Sequence, residues 1–163
     1  MKLNIVPLNF QAFKKYGSFE KMYDLNSIKF GDPPIEFYRD LIQLTLSHEN
    51  DLSFSICHVK KHDGIIQSME NHSFTGEGAM PLDGDILLPL SPASPLNVFD
   101  DNAIEVFIIP KFTFVSIRPG VWHDAPLPYK CEDVNVLIAL PERTYANDCH
   151  EVKLTKVISI DMD

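Results

Sequence analysis

Residues 64–84 read GIIQSMENHSFTGEGAMPLDG, and a shorter stretch downstream, residues 118–123, reads RPGVWH. Alternate side chains of a β-strand share a face, so a strand over Ile65 to His72 points Glu70 and His72 the same way. That sets a carboxylate beside an imidazole. Ser73, Phe74, Thr75 and Gly76 form a loop of mostly small residues, and a turn there folds a second carboxylate, Glu77, back onto the same face. His123 follows the Pro119-Gly120 turn and has to arrive from another part of the sheet. Two oxygen donors and two nitrogen donors then converge.

A set of two carboxylates and two imidazoles favours one divalent ion that accepts oxygen and nitrogen together: manganese, nickel, iron or zinc. Closed structural zinc sites are sulfur-rich and tetrahedral, so this pattern points to an open, chemically active site. The expected ligands are Glu70, His72, Glu77 and His123. Taken alone, His72 reads as a hydrogen-bonded strand histidine and Glu70 as part of a solvated strand face. Their joint spacing with Glu77 and His123 is what favours ligation.

The rest of the chain bounds the possibilities. Its 163 residues, 45% hydrophobic and 23% charged, suit one soluble globular unit able to bury a real core. The formal net charge of -9 argues against nucleic acid or an anionic membrane as partner and leaves a small-molecule substrate as the expected one. No apolar run approaches the ~18 residues of a spanning helix, and Met1-Lys2 leads into a mixed stretch without a signal-peptide core, so the expected compartment is the cytoplasm. Cys57, Cys131 and Cys149 are an odd set without close pairing, which reads as reduced thiols.

Taken in order, Leu3 to Pro7 reads as a short edge strand, because proline lacks the N–H a central strand needs. Asn9 caps a short helix through Tyr16 that Gly17 closes. Phe19 to Leu25 has weak helical periodicity, Gly31 to Pro34 is a breaker, and Ile35 to Leu46 is ambiguous, with a strand expected in its second half. From Leu52 onward, short apolar runs are divided by Gly, Pro, Asp and Asn, the signature of an antiparallel sandwich or barrel. Strands are expected at Leu52 to Val59, Ile65 to His72, Gly78 to Pro81, Asp85 to Leu90, Ala103 to Ile109, Phe112 to Ile117 and Val134 to Leu140. A last strand, Val152 to Ile160, either adds to a sheet edge or crosses to a partner subunit.

The spacing Gly64, five residues, Glu70, one residue, His72, four residues, Glu77, six residues, Gly84 resembles the first cupin motif, with Glu70 in place of its leading histidine. Pro119-Gly120-x-x-His123 keeps the Gly-x-x-His core of the second motif, without its upstream glycine and with Leu127 at its usual asparagine. The blocks MKLNIVPLNFQAFKKYG, MENHSFTGEGAMPL and PGVWHDAP, from residue 1 to about Leu140, resemble the ureidoglycolate lyase family of cupins. Glu70, His72, Pro81, Trp122 and His123 are kept. Asn71 replaces that family's arginine, Glu77 its glutamine and Asp124 its second histidine.

The resemblance implies an all-β fold, a cupin double-stranded β-helix or jelly-roll barrel with short N-terminal helical segments. Residues 1–163 then form a single cupin domain, with an N-terminal extension over about 1–50 and a C-terminal tail over about 141–163 packed on the barrel. It also implies a metal-dependent lyase that splits ureidoglycolate into glyoxylate and urea, and by family analogy a homodimer. For such a substrate Glu77 belongs to the catalytic set, Asp124 serves as base or as a support beside His123, and Arg118 pairs with the substrate carboxylate. Trp122 reads as a pocket wall or as barrel core. His58 shares a strand face with Ile56 and is the candidate extra pocket residue, with a structural role as its alternative, while Cys57 faces the other way. His48, His62 and His150 lie outside the motif. Two other functions fit the same residues: a metal-dependent isomerase of a non-phosphorylated sugar, and a small-ligand-binding module without turnover.

Overall fold

The computed structural model describes residues 1–23, 28–46, 51–95 and 98–162. Two sheets carry most of them. In the first, the strand order is β1 (Lys2–Leu3), β15 (His150–Ile160), β7 (Ile65–Asn71), β12 (Trp122–His123), β9 (Asp85–Ser91), β10 (Glu105–Ile109) and β2 (Ile5–Pro7), with β13 (Leu127–Tyr129) also paired to β9. The second runs β3 (Gly17–Lys21), β11 (Thr113–Ile117), β8 (Glu77–Pro81), β14 (Asp133–Pro141) and β6 (Leu52–Lys60). A small separate hairpin joins β4 (Lys29–Phe30) to β5 (Phe37–Tyr38).

The first sheet curls back on itself, and two pairings show it. Leu3 pairs with Ile160 at one end of the strand order, while Ile5 pairs with Val106 at the other. Two residues of chain reach only about 7 Å, so both ends of the sheet meet at Asn4. Closure of this kind is how a barrel avoids open edges. Pro7 lies on terminal β2, where its missing N–H costs nothing.

Alternation places the core between the two sheets. On β9, Ile86, Leu88 and Leu90 join Phe107 and Ile109 of β10 against Ala79, Val115, Ile117, Val134 and Val136 of the second sheet. The intervening Leu87 and Val106 belong to a second apolar cluster with Trp122, Leu127 and Ile158. Both faces of β9 are therefore buried, which explains why its sequence, DILLPLS, reads as a continuous apolar run. The short helix α1 (Phe10–Phe13) adds Phe13 to the core, and Asn9 caps it by accepting from the Ala12 N–H at 3.0 Å.

Each of the seven expected strands from Leu52 to Leu140 is present to within a residue or two, and the last strand adds to β7 within the same chain. Other expectations are corrected. Leu3 to Pro7 is two strands, because the chain changes partner at Asn4. The described part of Phe19 to Leu25 begins inside β3, not in a helix: Gly17 to Lys21 pairs along the whole of β11, and a Cβ at Gly17 would lie 1.8 Å from the Ser116 carbonyl oxygen. Asp24 and Leu25 lie outside the described residues. In Ile35 to Leu46 the strand falls in the first half, at Phe37–Tyr38; the second half is irregular and lies against the motif loop, where the Thr45 carbonyl accepts from the Gly76 N–H at 2.7 Å.

Candidate metal centre

Three elements deliver the motif residues to one place. β7 ends at Asn71, and the chain turns through residues 72–76 into β8, which opens on Glu77. β12 lies against β7 so that His123 faces Glu70 directly. Gly120 makes this possible. Its φ of 77° is in the left-handed region that glycine favours, and its N–H donates to the His72 carbonyl at 2.7 Å. The Pro-Gly turn is thereby tied to the loop of the first motif.

The imidazole tautomers follow from their partners. His72 Nδ1 lies 2.6 Å from the Asp148 carbonyl and His123 Nδ1 lies 3.1 Å from the Val121 carbonyl. A carbonyl only accepts, so both Nδ1 atoms carry hydrogen and both Nε2 atoms point inward. The inward atoms converge on one carboxylate oxygen. Glu77 Oε2 is 3.1 Å from His72 Nε2 and 3.2 Å from His123 Nε2, and the two rings sit edge to face with centroids 5.1 Å apart. Glu70 Oε1 lies 3.8 Å from His123 Nε2.

This arrangement demands positive charge. Two neutral Nε2 lone pairs facing a carboxylate would repel it, so a proton or a metal cation belongs between them. His123 Nε2 is buried and lacks a hydrogen-bond partner of good geometry despite its nearness to Glu77. The ligand atoms of Glu70, His72 and His123 lie within 4.8 Å of one another, close enough to meet at a single ion. The donor set fits a divalent metal. Glu77 falls outside that three-residue group and instead bridges the imidazoles.

Electrostatics point the same way. Burial pushes the Glu77 carboxyl up, but His123 and His72 outweigh it and hold the group down at about 2. Burial lowers His123, and Glu77, with Glu70 behind it, raises it to about 9. Burial raises Asp124, and the Glu70 charge adds to this against a bond from the Ala125 N–H.

A cavity of about 180 Å³ opens over the cluster. Glu70, His72, Glu77, His123 and Asp124 line it together with Leu88, Ile138, Leu140, Tyr145, Cys57 and Cys149, and among the described residues its lining includes no Lys or Arg. The other expected residues are elsewhere. Arg118 is exposed and off the cavity wall. Trp122 is 1% exposed in the second apolar cluster, donating to Ser94 Oγ at 2.8 Å, so the core alternative holds for it. His58 is corrected: it is exposed beside Asn135, and Cys57 takes the inward place. The face that His58 shares with Ile56 is the outer one, Ile56 being 55% exposed. His48 lies outside the described residues.

Four contributors were not legible in the sequence. Tyr145, Asp148 and Cys149 come from the segment between β14 and β15, which includes the short helix α2 (Thr144–Asn147), and Cys57 from the outermost strand of the second sheet. Cys149 donates to Glu70 Oε2 at 3.0 Å, and its thiol is pushed up to about 12 by burial and by that carboxylate. Asn71 is buried with neither polar side-chain atom hydrogen-bonded, and nothing in the structure explains it.

The family model described as ureidoglycolate lyase matches residues 1–161. No curated protein sequence matches the chain. Among solved structures, oxalate decarboxylase from Bacillus subtilis is similar at a TM-score of 0.44 and 16% identity, over 76% of this chain and 33% of that one. A 3,4-ketoisomerase from Thermoanaerobacterium thermosaccharolyticum is similar at 0.44 and 11% identity, over 81% and 84% of the two chains. A dTDP sugar isomerase from Desulfovibrio desulfuricans gives 0.47 and 11%, over 85% and 83%.

Proposed function

The chain belongs to the ureidoglycolate lyase family, and from that membership we propose that it is a metal-dependent enzyme breaking a C–N bond in a small α-hydroxy acid of the ureidoglycolate kind, with glyoxylate and urea as products. The observation that carries this reading is the convergence of His72 Nε2 and His123 Nε2 on Glu77 Oε2, at 3.1 and 3.2 Å, beneath a cavity of about 180 Å³. Glu70, His72 and His123 would hold the ion, with Glu77 against it. A divalent ion so held supplies Lewis acidity to a substrate oxygen.

The protein's own groups do the rest. Asp124 stands on the cavity wall with its carboxyl raised by burial, the direction that makes a carboxylate a better proton acceptor. As carboxylate it takes the carbinol proton while the C=O bond forms. The electrons of the C–N bond leave with the nitrogen, and the same carboxyl returns the proton to it, so urea departs neutral. Leu88, Ile138 and Leu140 form the apolar wall that limits water around these transfers. Arg118, outside the wall, has no part in this scheme.

The test is glyoxylate release from ureidoglycolate by protein reconstituted separately with Mn, Ni, Fe and Zn. Turnover that His123→Ala abolishes is the expected result. Absence of glyoxylate with every metal overturns the lyase reading. Aldose to ketose conversion on a panel of non-phosphorylated sugars would put the isomerase in its place, and metal binding without either reaction would put the binding module there.

A further inference from the structure

Two consecutive residues of the segment between β14 and β15, Asp148 and Cys149, reach two consecutive donors of the motif. The Asp148 carbonyl accepts from His72 Nδ1 at 2.6 Å, and the Cys149 thiol donates to Glu70 Oε2 at 3.0 Å. We propose that Asp148 and Cys149 are positioning residues that set the tautomer of His72 and the orientation of Glu70, so that the C-terminal segment completes the metal centre. This rests on reading Glu70, His72 and His123 as metal ligands.

The carbonyl that meets His72 is held in place by its own side chain. Asp148 is 8% exposed, and its carboxylate accepts from the Ser73 N–H with Oδ1 and from the Phe74 N–H with Oδ2, each at 2.8 Å. Its backbone N–H donates to the Thr144 carbonyl at 2.8 Å, closing the turn of α2. His150 Nε2 also faces it, 3.8 Å from Oδ1. The two residues that follow His72 are therefore clamped by the residue that fixes the His72 ring. Moving Asp148 moves both together.

Tautomer matters here because only one ring nitrogen faces the centre. With hydrogen on Nδ1, the Nε2 lone pair is left for the ion, and partners that fix a ligand in this way typically contribute about 10–100-fold to metal affinity. Cys149 acts on the neighbouring donor. By occupying Glu70 Oε2 it leaves Oε1 as the oxygen on the His123 side, 3.8 Å from Nε2. His123 needs no help from this segment, since Val121 of its own turn accepts from Nδ1.

The experiment compares the full chain with Asp148→Ala, Asp148→Asn, Cys149→Ala and Cys149→Ser. Long-range ¹H–¹⁵N spectra of the metal-free protein at alkaline pH should show His72 wholly as the Nδ1–H tautomer, with a mixture in Asp148→Ala. Zinc affinity by chelator competition should fall about 10–100-fold in Asp148→Ala and about 10-fold in Cys149→Ala, and stay within about threefold in Cys149→Ser, whose hydroxyl still donates. A folded Asp148→Ala with unchanged tautomer and zinc affinity overturns the proposal. So does a Cys149→Ala that binds zinc like the parent. If Asp148→Ala does not fold, Asp148→Asn, which keeps one acceptor, is judged by the same two readouts. Should the parent bind no metal at all, the metal reading fails by itself, and the tautomer spectra still decide the role of Asp148.

Discussion

His123 and Glu70 are direct cross-strand partners on β12 and β7, separated in sequence by more than fifty residues and brought to 3.8 Å between Nε2 and Oε1. That single register position decides whether the two motifs form one site. A slip of one residue in β12 would turn the imidazole to the opposite face. The Gly120 to His72 bond fixes the register from the loop side.

Replacing Glu77 with Gln removes the charge that His72 and His123 share. In the metal-free protein the His123 transition should then fall from about 9 to 6.5 or below, because burial is left unopposed by its main partner. An NMR titration of the imidazole C–H signals reads this directly. A transition still near 9 would mean that some other group supplies the charge.

The pH dependence of metal-free stability has two opposite limbs. Glu77 is depressed from 4.5 to about 2, so its contribution is complete above 4.5 and is lost as pH falls towards 2. His123 is raised from 6.5 to about 9, so its contribution is complete below 6.5 and is lost as pH rises through 9. Urea denaturation of the metal-free protein should therefore give its best midpoint between about 4.5 and 6.5. Metal affinity should run the other way, rising with pH up to about 9 as the competing proton leaves His123. Parallel pH profiles for stability and affinity would contradict the shared-charge account.

Gly76 precedes Glu77 at a crowded point. A Cβ there would lie 2.5 Å from the Ile117 carbonyl oxygen and 3.1 Å from that of Thr45. Both obstacles are backbone, so Gly76→Ala should cost about 1–3 kcal/mol and shift Glu77 enough to weaken metal binding. Denaturant midpoints and metal titration of the same preparation check the two effects, and an unchanged protein would show that the loop yields more easily than its contacts suggest.

Phe13 tests the part of the chain farthest from motif reasoning. It is fully buried and meets Phe19, Phe107 and Tyr16 edge to face, at 5.6, 5.3 and 6.1 Å. Phe13→Ala should lower stability by about 3–5 kcal/mol while the folded fraction keeps its metal affinity. Equal stability would remove α1 from the core.

What could be read from sequence was whatever a local period or spacing encodes. The strands from Leu52 to Leu140 alternate with turn residues, and Glu70, His72, Glu77 and His123 sit at a recognisable spacing, so both were legible. The N-terminal strands were not, because Leu3 to Pro7 gives no sign that it changes partner midway and Gly17 to Lys21 owes its conformation to β11. On β6 the alternation was right but its phase was inverted. Ile56 and Cys57 are both acceptable inward residues, and only the pairing with β14, where Cys57 meets Val136 and His58 meets Asn135, separates them. Asp148 and Cys149 reach the site by tertiary contact alone, from a stretch with no periodic pattern.

The proposed metal centre holds a divalent ion between Glu70, His72 and His123, with Glu77 beside them. The most direct measurement is elemental analysis of protein purified without chelator or immobilised nickel, repeated for His123→Ala and Glu77→Ala. About one equivalent of metal per chain in the parent, lost in His123→Ala and strongly reduced in Glu77→Ala with folding intact, is the predicted result. A parent that takes up no metal even after reloading would contradict it and leave the four residues as a hydrogen-bonded, proton-sharing pocket.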